Sequence, residues 1–269
     1  MRVRPADQPL EMQAMAVAVA VAADHGLTSV DPQLIGRSSN VLVHLRPAPV
    51  VARVMTATAV LHADVRGWLE RELSVAAFAA AAGAPVVAPS GLLPPGPHER
   101  DGLWLSFWEL ASPRSSAGDL SGEEVGRSLR ELHDAIADYP GELPPFTDAF
   151  VDIEPLVKEG LRPEFERLTR VLGQSDLPWQ PLHGDTSLSN LLDTDRGPLW
   201  NDFEDVCRGP LAWEVAGVVA SSQLRERPAE FVRAVLAAYG SIPGDDKLEP
   251  LVEAHKLYHA VWAARRASA

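Results

Sequence analysis

Two short stretches gather residue types that do chemistry with phosphate and hard metal ions. "PLHGDTSLSNLL", residues 181–192, sets His183, Gly184, Asp185 and Asn190 between apolar flanks, and "LWNDFEDVCRGP", residues 199–210, adds Asp202 and Glu204. Asp185, Asn190 and Asp202 are oxygen donors of the kind magnesium prefers, since that ion keeps several waters and takes only one or two protein carboxylates beside substrate phosphates. Phosphoryl transfer asks for the same set plus a carboxylate that orients the acceptor hydroxyl. The spacing supports a shared site. Asn190 follows Asp185 by five positions, enough for a loop to turn, and Leu191 and Leu192 anchor the loop's end. The turn "DTDRG" and the apolar run 198–200 then return the chain and bring Asp202 beside Asn190, so both stretches sit on one hairpin.

The elements that position this hairpin are legible in outline. An Ala/Val stripe, "AMAVAVAVAA" at 14–23, predicts a buried first helix over about 11–25. It has the look of a leader's apolar region, but Asp7 and Glu11 precede it, and it is too short for a bilayer, which takes roughly 20 residues. "NVLVHLRPAPVVARV" (40–54) predicts a β-hairpin, residues 59–82 a long Ala-rich helix stopped at Gly83, and "APVVAPS" and "GLWLSFWEL" two further strands. In the second of these Trp104, Phe107 and Trp108 are expected in the core. After Leu110 the polar stretch "ASPRSSAGDLSGEE" marks a domain boundary and leads into a helix capped by Ser121 with Glu124 three residues on. Helices are predicted over 121–138, 153–173, 211–222, 228–239 and 247–267, with the hairpin at 190–203.

Composition limits the partners. The chain has 269 residues, 46% of them hydrophobic, and a formal charge of −13. That balance argues against nucleic acid, whose binding needs clustered Lys and Arg, and no segment reads as a membrane span. One cysteine, Cys207, excludes an intrachain disulfide framework and any multi-cysteine metal site, so it is expected as a small buried hydrophobe in a cytoplasmic protein. Between Pro181 and Val215 seven acids face two bases, a local balance of −5 that would attract magnesium and a cationic acceptor.

The two stretches resemble the aminoglycoside phosphotransferase and choline kinase family, distant relatives of the eukaryotic protein kinases. "HGDTSLSN" is similar to that family's HGDxxxxN catalytic loop, and "NDFEDVCRGPLAWEVA" to its metal-binding Asp segment with the Gly-Pro and helix that follow. "GRSSNVLVHL", "VVARV", "RELSVAAFAAAAGAPVVAPS" and "GRSLRELHDA" fall in the family's order. The resemblance implies an α+β, two-lobed protein-kinase-like fold: a small N-terminal nucleotide-binding lobe of β-sheet and one long helix (1–110), and a larger, mostly helical C-terminal lobe with the catalytic loop and acceptor site (111–269). It implies transfer of the γ-phosphate of ATP or GTP to a hydroxyl of an aminoglycoside-like antibiotic, a choline-like amino alcohol or a sugar, with magnesium as cofactor.

By the same resemblance Asp185 is the base or orienting residue for that hydroxyl, Asn190 and Asp202 ligate the metal, and His183 braces the loop. Glu72 matches the acidic partner of the phosphate-binding cation. That cation is lysine in the family and Arg53 here, a planar fork in place of a point charge that still neutralises phosphate bidentately. "GRSSN", with Ser38 and Ser39, stands in the place of the phosphate-covering loop, and the backbone around Glu109 and Leu110 in that of the adenine-binding hinge. Glu204 and Glu214 either line the acceptor pocket or support the loop. Two other readings use the same residues: a catalytically silent nucleotide- or metabolite-binding protein of this fold, and a hydrolase with Asp185 as nucleophile, which no oxyanion motif accompanies.

Overall fold

Strands form in the first half because Val- and Leu-rich runs alternate faces at a period of two. In the computed structural model, which describes residues 8–37, 40–56, 64–115, 120–174, 176–244 and 247–268, β1 (Asp31–Arg37), β2 (Asn40–Arg46), β3 (Val50–Met55), β4 (His98–Arg100) and β5 (Leu103–Glu109) make one antiparallel sheet in the order β1-β2-β3-β5-β4. Every residue of β3 is buried, so both faces of the sheet are covered. One face meets α1 (Gln8–Asp24), whose Ala14, Val17, Ala18, Val21 and Ala22 pack on Val43, Val50, Ala52, Val54 and Phe107. Alanines at a spacing of four let this helix lie close on the pleats. Trp68 and Leu69 of α2 (Val65–Ala81) pack on Met55, and Glu72 of the same helix binds Arg53, so the other residue set of β3 faces α2. These elements make one compact unit, residues 1–80 and 87–112.

The second unit, residues 81–86 and 113–269, is mostly helical. It contains α3 (Gly122–Ile136), α4 (Thr147–Asp152), α5 (Arg162–Gly173), α6 (Leu211–Leu224), α7 (Ala229–Tyr239) and α8 (Leu248–Ser268), with α3 packed on α7 and α6 on α8. A Cβ at Gly126 would lie 2.2 Å from the Val235 carbonyl oxygen, so glycine is what permits the α3–α7 approach. Ser121 and Glu124 form the expected reciprocal cap on α3. α6 is buried continuously from Ala212 to Ser222 and forms the axis of the unit. Two small ladders complete it: β7 (Gln180–Leu182) with β10 (Cys207–Gly209), and β6 (Pro113–Ser115) with β8 (Leu191–Thr194) and β9 (Gly197–Trp200). Cys207 is buried, and among the described residues no helix is long and apolar enough to cross a membrane.

Three predicted elements differ from those observed. Residues 84–90 form no ladder, only single bridges at Val86 and Pro89, because Pro85 and Pro89 have no N–H to donate. The helix expected over 153–173 is continuous only from Arg162. Pro155 and Gly160 break the segment before it into two short 3₁₀ turns, whereas Pro163 falls in the first turn of α5, where a missing N–H is harmless. The helix expected from 59 runs from Val65 among the described residues, and 57–63 lie outside them. β1 has no counterpart among the predicted elements, since "DPQLIGR" has no apolar alternation; four of its seven positions are exposed and none is fully buried.

Candidate active site

The segment between β7 and β8 is pinned from below by α6. The Glu214 carboxylate accepts the backbone N–H groups of His183 and Gly184, each at 2.9 Å. The Thr186 hydroxyl donates to the Glu214 carbonyl at 2.6 Å, and two turns along α6 the Ser221 hydroxyl accepts the Leu188 N–H at 3.0 Å. Two consecutive N–H groups aimed at one carboxylate require a sharp reversal, which Gly184 makes at φ +94. A Cβ there would also fall 1.8 Å from the Asp205 carbonyl oxygen. Gly184→Ala is therefore expected to break the loop and abolish turnover while leaving the sheet unit folded, which activity and far-UV circular dichroism together would show.

Glu214 is fully buried. Burial pushes its carboxyl pKa upward, but the hydrogen bond and charge of His133, the charge of His183 and the His183 N–H outweigh it, and the net shift is down. His133 completes the chain: Nε2 lies 3.3 Å from Glu214 Oε2, and Nδ1 lies 2.8 Å from the Tyr239 hydroxyl. Of the two roles open to Glu214, the geometry gives it loop support.

Above this base the chemically active groups converge. Asp185 Oδ1 accepts the Ser187 N–H at 3.1 Å, and its Oδ2 accepts Asn190 Nδ2 at 2.9 Å. That bond fixes the amide, leaving Asn190 Oδ1 as the atom able to ligate a cation. The Asn190 carbonyl accepts both the N–H and Nδ2 of Asn201, at 2.9 and 2.8 Å, while Leu191 pairs with Trp200 across the hairpin. Asp202 is the next residue. It holds φ 67, ψ 67, a left-handed conformation rare outside glycine and tolerated best by Asp and Asn. The hairpin therefore places Asp202 next to the Asn190–Asn201 junction, as its sequence predicts.

His183 is fully buried. Its Nδ1 accepts the Asp185 N–H at 3.4 Å and its Nε2 donates to the Asn201 carbonyl at 3.0 Å, tying the two stretches together. Glu204 is half-buried in a 3₁₀ turn just past Asp202. Asn201 and Ser221 were not singled out from sequence. The only signal for Asn201 was a second Asn beside the metal-ligand candidate.

The donor set suits magnesium. Asn190 Oδ1 and the Asp202 carboxylate are hard oxygens on adjoining strand ends, and among the described residues no group of three or more His, Cys, Asp or Glu closes a site by protein ligands alone. Such a pair leaves coordination positions for water and phosphate oxygens.

In the sheet unit Arg53 and Glu72 form a buried two-pronged pair, Nη1 to Oε1 and Nη2 to Oε2, both at 2.7 Å. Their side chains are 8% and 1% exposed, so the pair lies inside the sheet unit rather than on its surface. Glu72→Ala would remove a two-pronged carboxylate from a buried guanidinium and is expected to cost about 3–5 kcal/mol. Arg53→Met/Glu72→Leu should recover most of that loss, and urea denaturation of the three proteins measures both. The Glu109 and Leu110 N–H groups donate to the Ala88 and Pro49 carbonyls, at 2.9 and 3.0 Å, so they are not the donors a base would meet. Ser38 and Ser39 lie outside the described residues.

An antiparallel sheet with a helix-borne carboxylate on a strand cation, together with a helical unit carrying this loop and hairpin, defines the class of protein-kinase-like phosphotransferases. The chain belongs to the phosphotransferase enzyme family, APH, which it matches over residues 33–251. No curated protein matches it. Solved structures share its fold at low identity. An amicoumacin kinase, hAmiN, in complex with AMP-PNP, Ca2+ and Ami has a TM-score of 0.78 at 12% identity, over 99% of this chain and 90% of that one. Choline kinase LicA from Streptococcus pneumoniae gives 0.67 at 14%, over 95% and 91%. The aminoglycoside phosphotransferase APH(3'')-Id from Streptomyces rimosus gives 0.64 at 15%, over 90% and 97%.

Proposed function

We propose that the protein transfers the γ-phosphoryl group of ATP or GTP to a hydroxyl of a small molecule. The observation that carries this reading is the Asp185–Asn190 hydrogen bond at the end of a hairpin that presents Asp202 from its other strand. Asp185 takes the hydroxyl proton, the acceptor oxygen bonds to the γ-phosphorus, and the bond from that phosphorus to the β–γ bridging oxygen breaks to release the nucleoside diphosphate. Its carboxylate is held by one backbone and one side-chain donor, so it is oriented before an acceptor arrives. Asn190 and Asp202 would hold magnesium, which supplies charge compensation at the phosphate oxygens. Residues 1–110 are assigned nucleotide binding, with Arg53, held by Glu72, as the candidate phosphate-binding cation, and residues 111–269 the chemistry and acceptor binding. A cytoplasmic location follows, where nucleotide is abundant.

A cationic acceptor draws less support from the acidic count near the loop than the sequence alone suggests. Asp193 is paired with Arg114, and Glu214 is consumed by the loop. Nucleoside diphosphate release, measured over a panel of amino alcohols, sugars and aminocyclitols with ATP or GTP and magnesium, tests the transfer. Acceptor-dependent release supports it. Nucleotide binding with no acceptor-dependent release from any member would favour the second reading, a silent nucleotide-binding protein. That reading draws on the commitment of both Arg53 Nη atoms to Glu72.

A further inference from the structure

Within the helical unit, a cavity of about 330 Å³ lies beside the loop, bounded by Ser187 and Ser189, the end of α6 and the middle of α8. That is near the lower end of the range for small-molecule sites, roughly 300–1,000 Å³. Its chemistry runs against that of the chain. Acids outnumber Lys and Arg by 37 to 24 overall, yet no acid lines this cavity, while Arg225 and Lys256 do. Neither has an acidic partner among the described residues, whereas Arg37, Arg114, Arg162 and Arg167 each pair with a carboxylate. The partial negative charge at a helix C-terminus accounts for a cation at the end of α6. It does not account for Lys256, two turns inside α8.

The remaining walls fit the same picture. Leu224, Ala260 and Ala263 supply an apolar side. The Ser187 and Ser189 hydroxyls share one hydrogen bond at 2.6 Å, which leaves the second hydroxyl proton to donate to a ligand. The Ser187 N–H is also the donor to Asp185 Oδ1, so the cavity wall and the candidate base belong to one turn of chain.

The geometry points to this cavity as the acceptor subsite and to an acceptor bearing a carboxylate, a hydroxy acid gripped by Arg225 and Lys256 with a small apolar body over Leu224 and the α8 alanines. This inference rests on the phosphotransferase reading. Guanidinium binds carboxylate through two parallel hydrogen bonds and Lys adds a point charge, a contrast that a neutral or cationic analogue of the same shape forfeits.

Three compounds of one shape test it: 4-hydroxyphenylacetate, its primary amide, and tyramine. Each is titrated by calorimetry into the full chain holding magnesium and a non-hydrolysable ATP analogue. The carboxylate is expected to bind at least about tenfold more tightly than either analogue. Arg225→Ala/Lys256→Ala should erase that preference without altering nucleotide affinity, and Arg225→Lys/Lys256→Arg should keep part of it. Equal or tighter binding of tyramine or the amide, no binding of the carboxylate, or a preference undiminished in the alanine variant would overturn the inference. The nucleotide titration done first on the same sample separates the two failures. Without magnesium-dependent nucleotide binding the phosphotransferase reading itself fails; with it, and no carboxylate preference, only the acceptor assignment does.

Discussion

Asp185→Asn should lower turnover by roughly 10²- to 10⁴-fold, the usual contribution of a positioned general base, while magnesium-dependent nucleotide binding changes by less than about twofold. The substitution keeps the shape of the side chain and one oxygen to accept from Ser187 or Asn190, so the turn at 185–190 survives. What it removes is the atom that receives the acceptor's proton. Steady-state kinetics with a turned-over acceptor, paired with calorimetric nucleotide titration, makes the comparison. Loss of nucleotide binding alongside turnover would mean that Asp185 acts by holding the loop, and retained turnover would remove it from the chemistry.

The second large effect belongs to a residue fully buried beneath the loop. Glu214→Ala deletes the acceptor for two consecutive backbone N–H groups and leaves His133 facing an empty, fully buried space. An expected loss of about 3–5 kcal/mol follows from breaking such a buried charged network, and the loop it supports should lose its order with it. The folded carboxyl titrates below its ordinary value of 4.5. Its contribution is therefore complete above that pH and is lost as pH falls through the lower folded pKa, because protonation must then accompany the native state. Denaturation midpoints of the intact protein between pH 7 and pH 3 should fall, and those of Glu214→Gln should fall less. An equal fall in both would place the acid sensitivity elsewhere.

The parts of this structure that were legible in sequence are local ones. The loop and its return strand span 22 residues from Pro181 to Asp202, and hairpin closure follows from two Leu, a five-residue turn and an apolar run, so the Asp185–Asn190–Asp202 grouping could be read directly. The Ala/Val run of α1 signals its burial by uniformly apolar composition. What escaped was long-range. The bonds of Glu214 to residues 31 and 30 positions earlier are visible only once α6 runs beneath the loop. The helix breaks at Pro155 and Gly160 sit inside a stretch whose composition is otherwise helical. Charge misleads for a related reason: counting acids along the chain gives −5 around the site, but folding pairs Asp193 with Arg114, buries Glu214 and gathers Arg225 and Lys256 onto one cavity.

The central claim is that Asn190 and Asp202 present a metal-nucleotide complex to Asp185. Calorimetric titration of ATP and GTP, with and without magnesium, into the intact protein and its Asp202→Ala variant addresses it most directly. Binding that requires magnesium in the intact protein and is weakened at least about tenfold in the variant is the predicted result. Nucleotide binding that is indifferent to magnesium, or undiminished in Asp202→Ala, would contradict it.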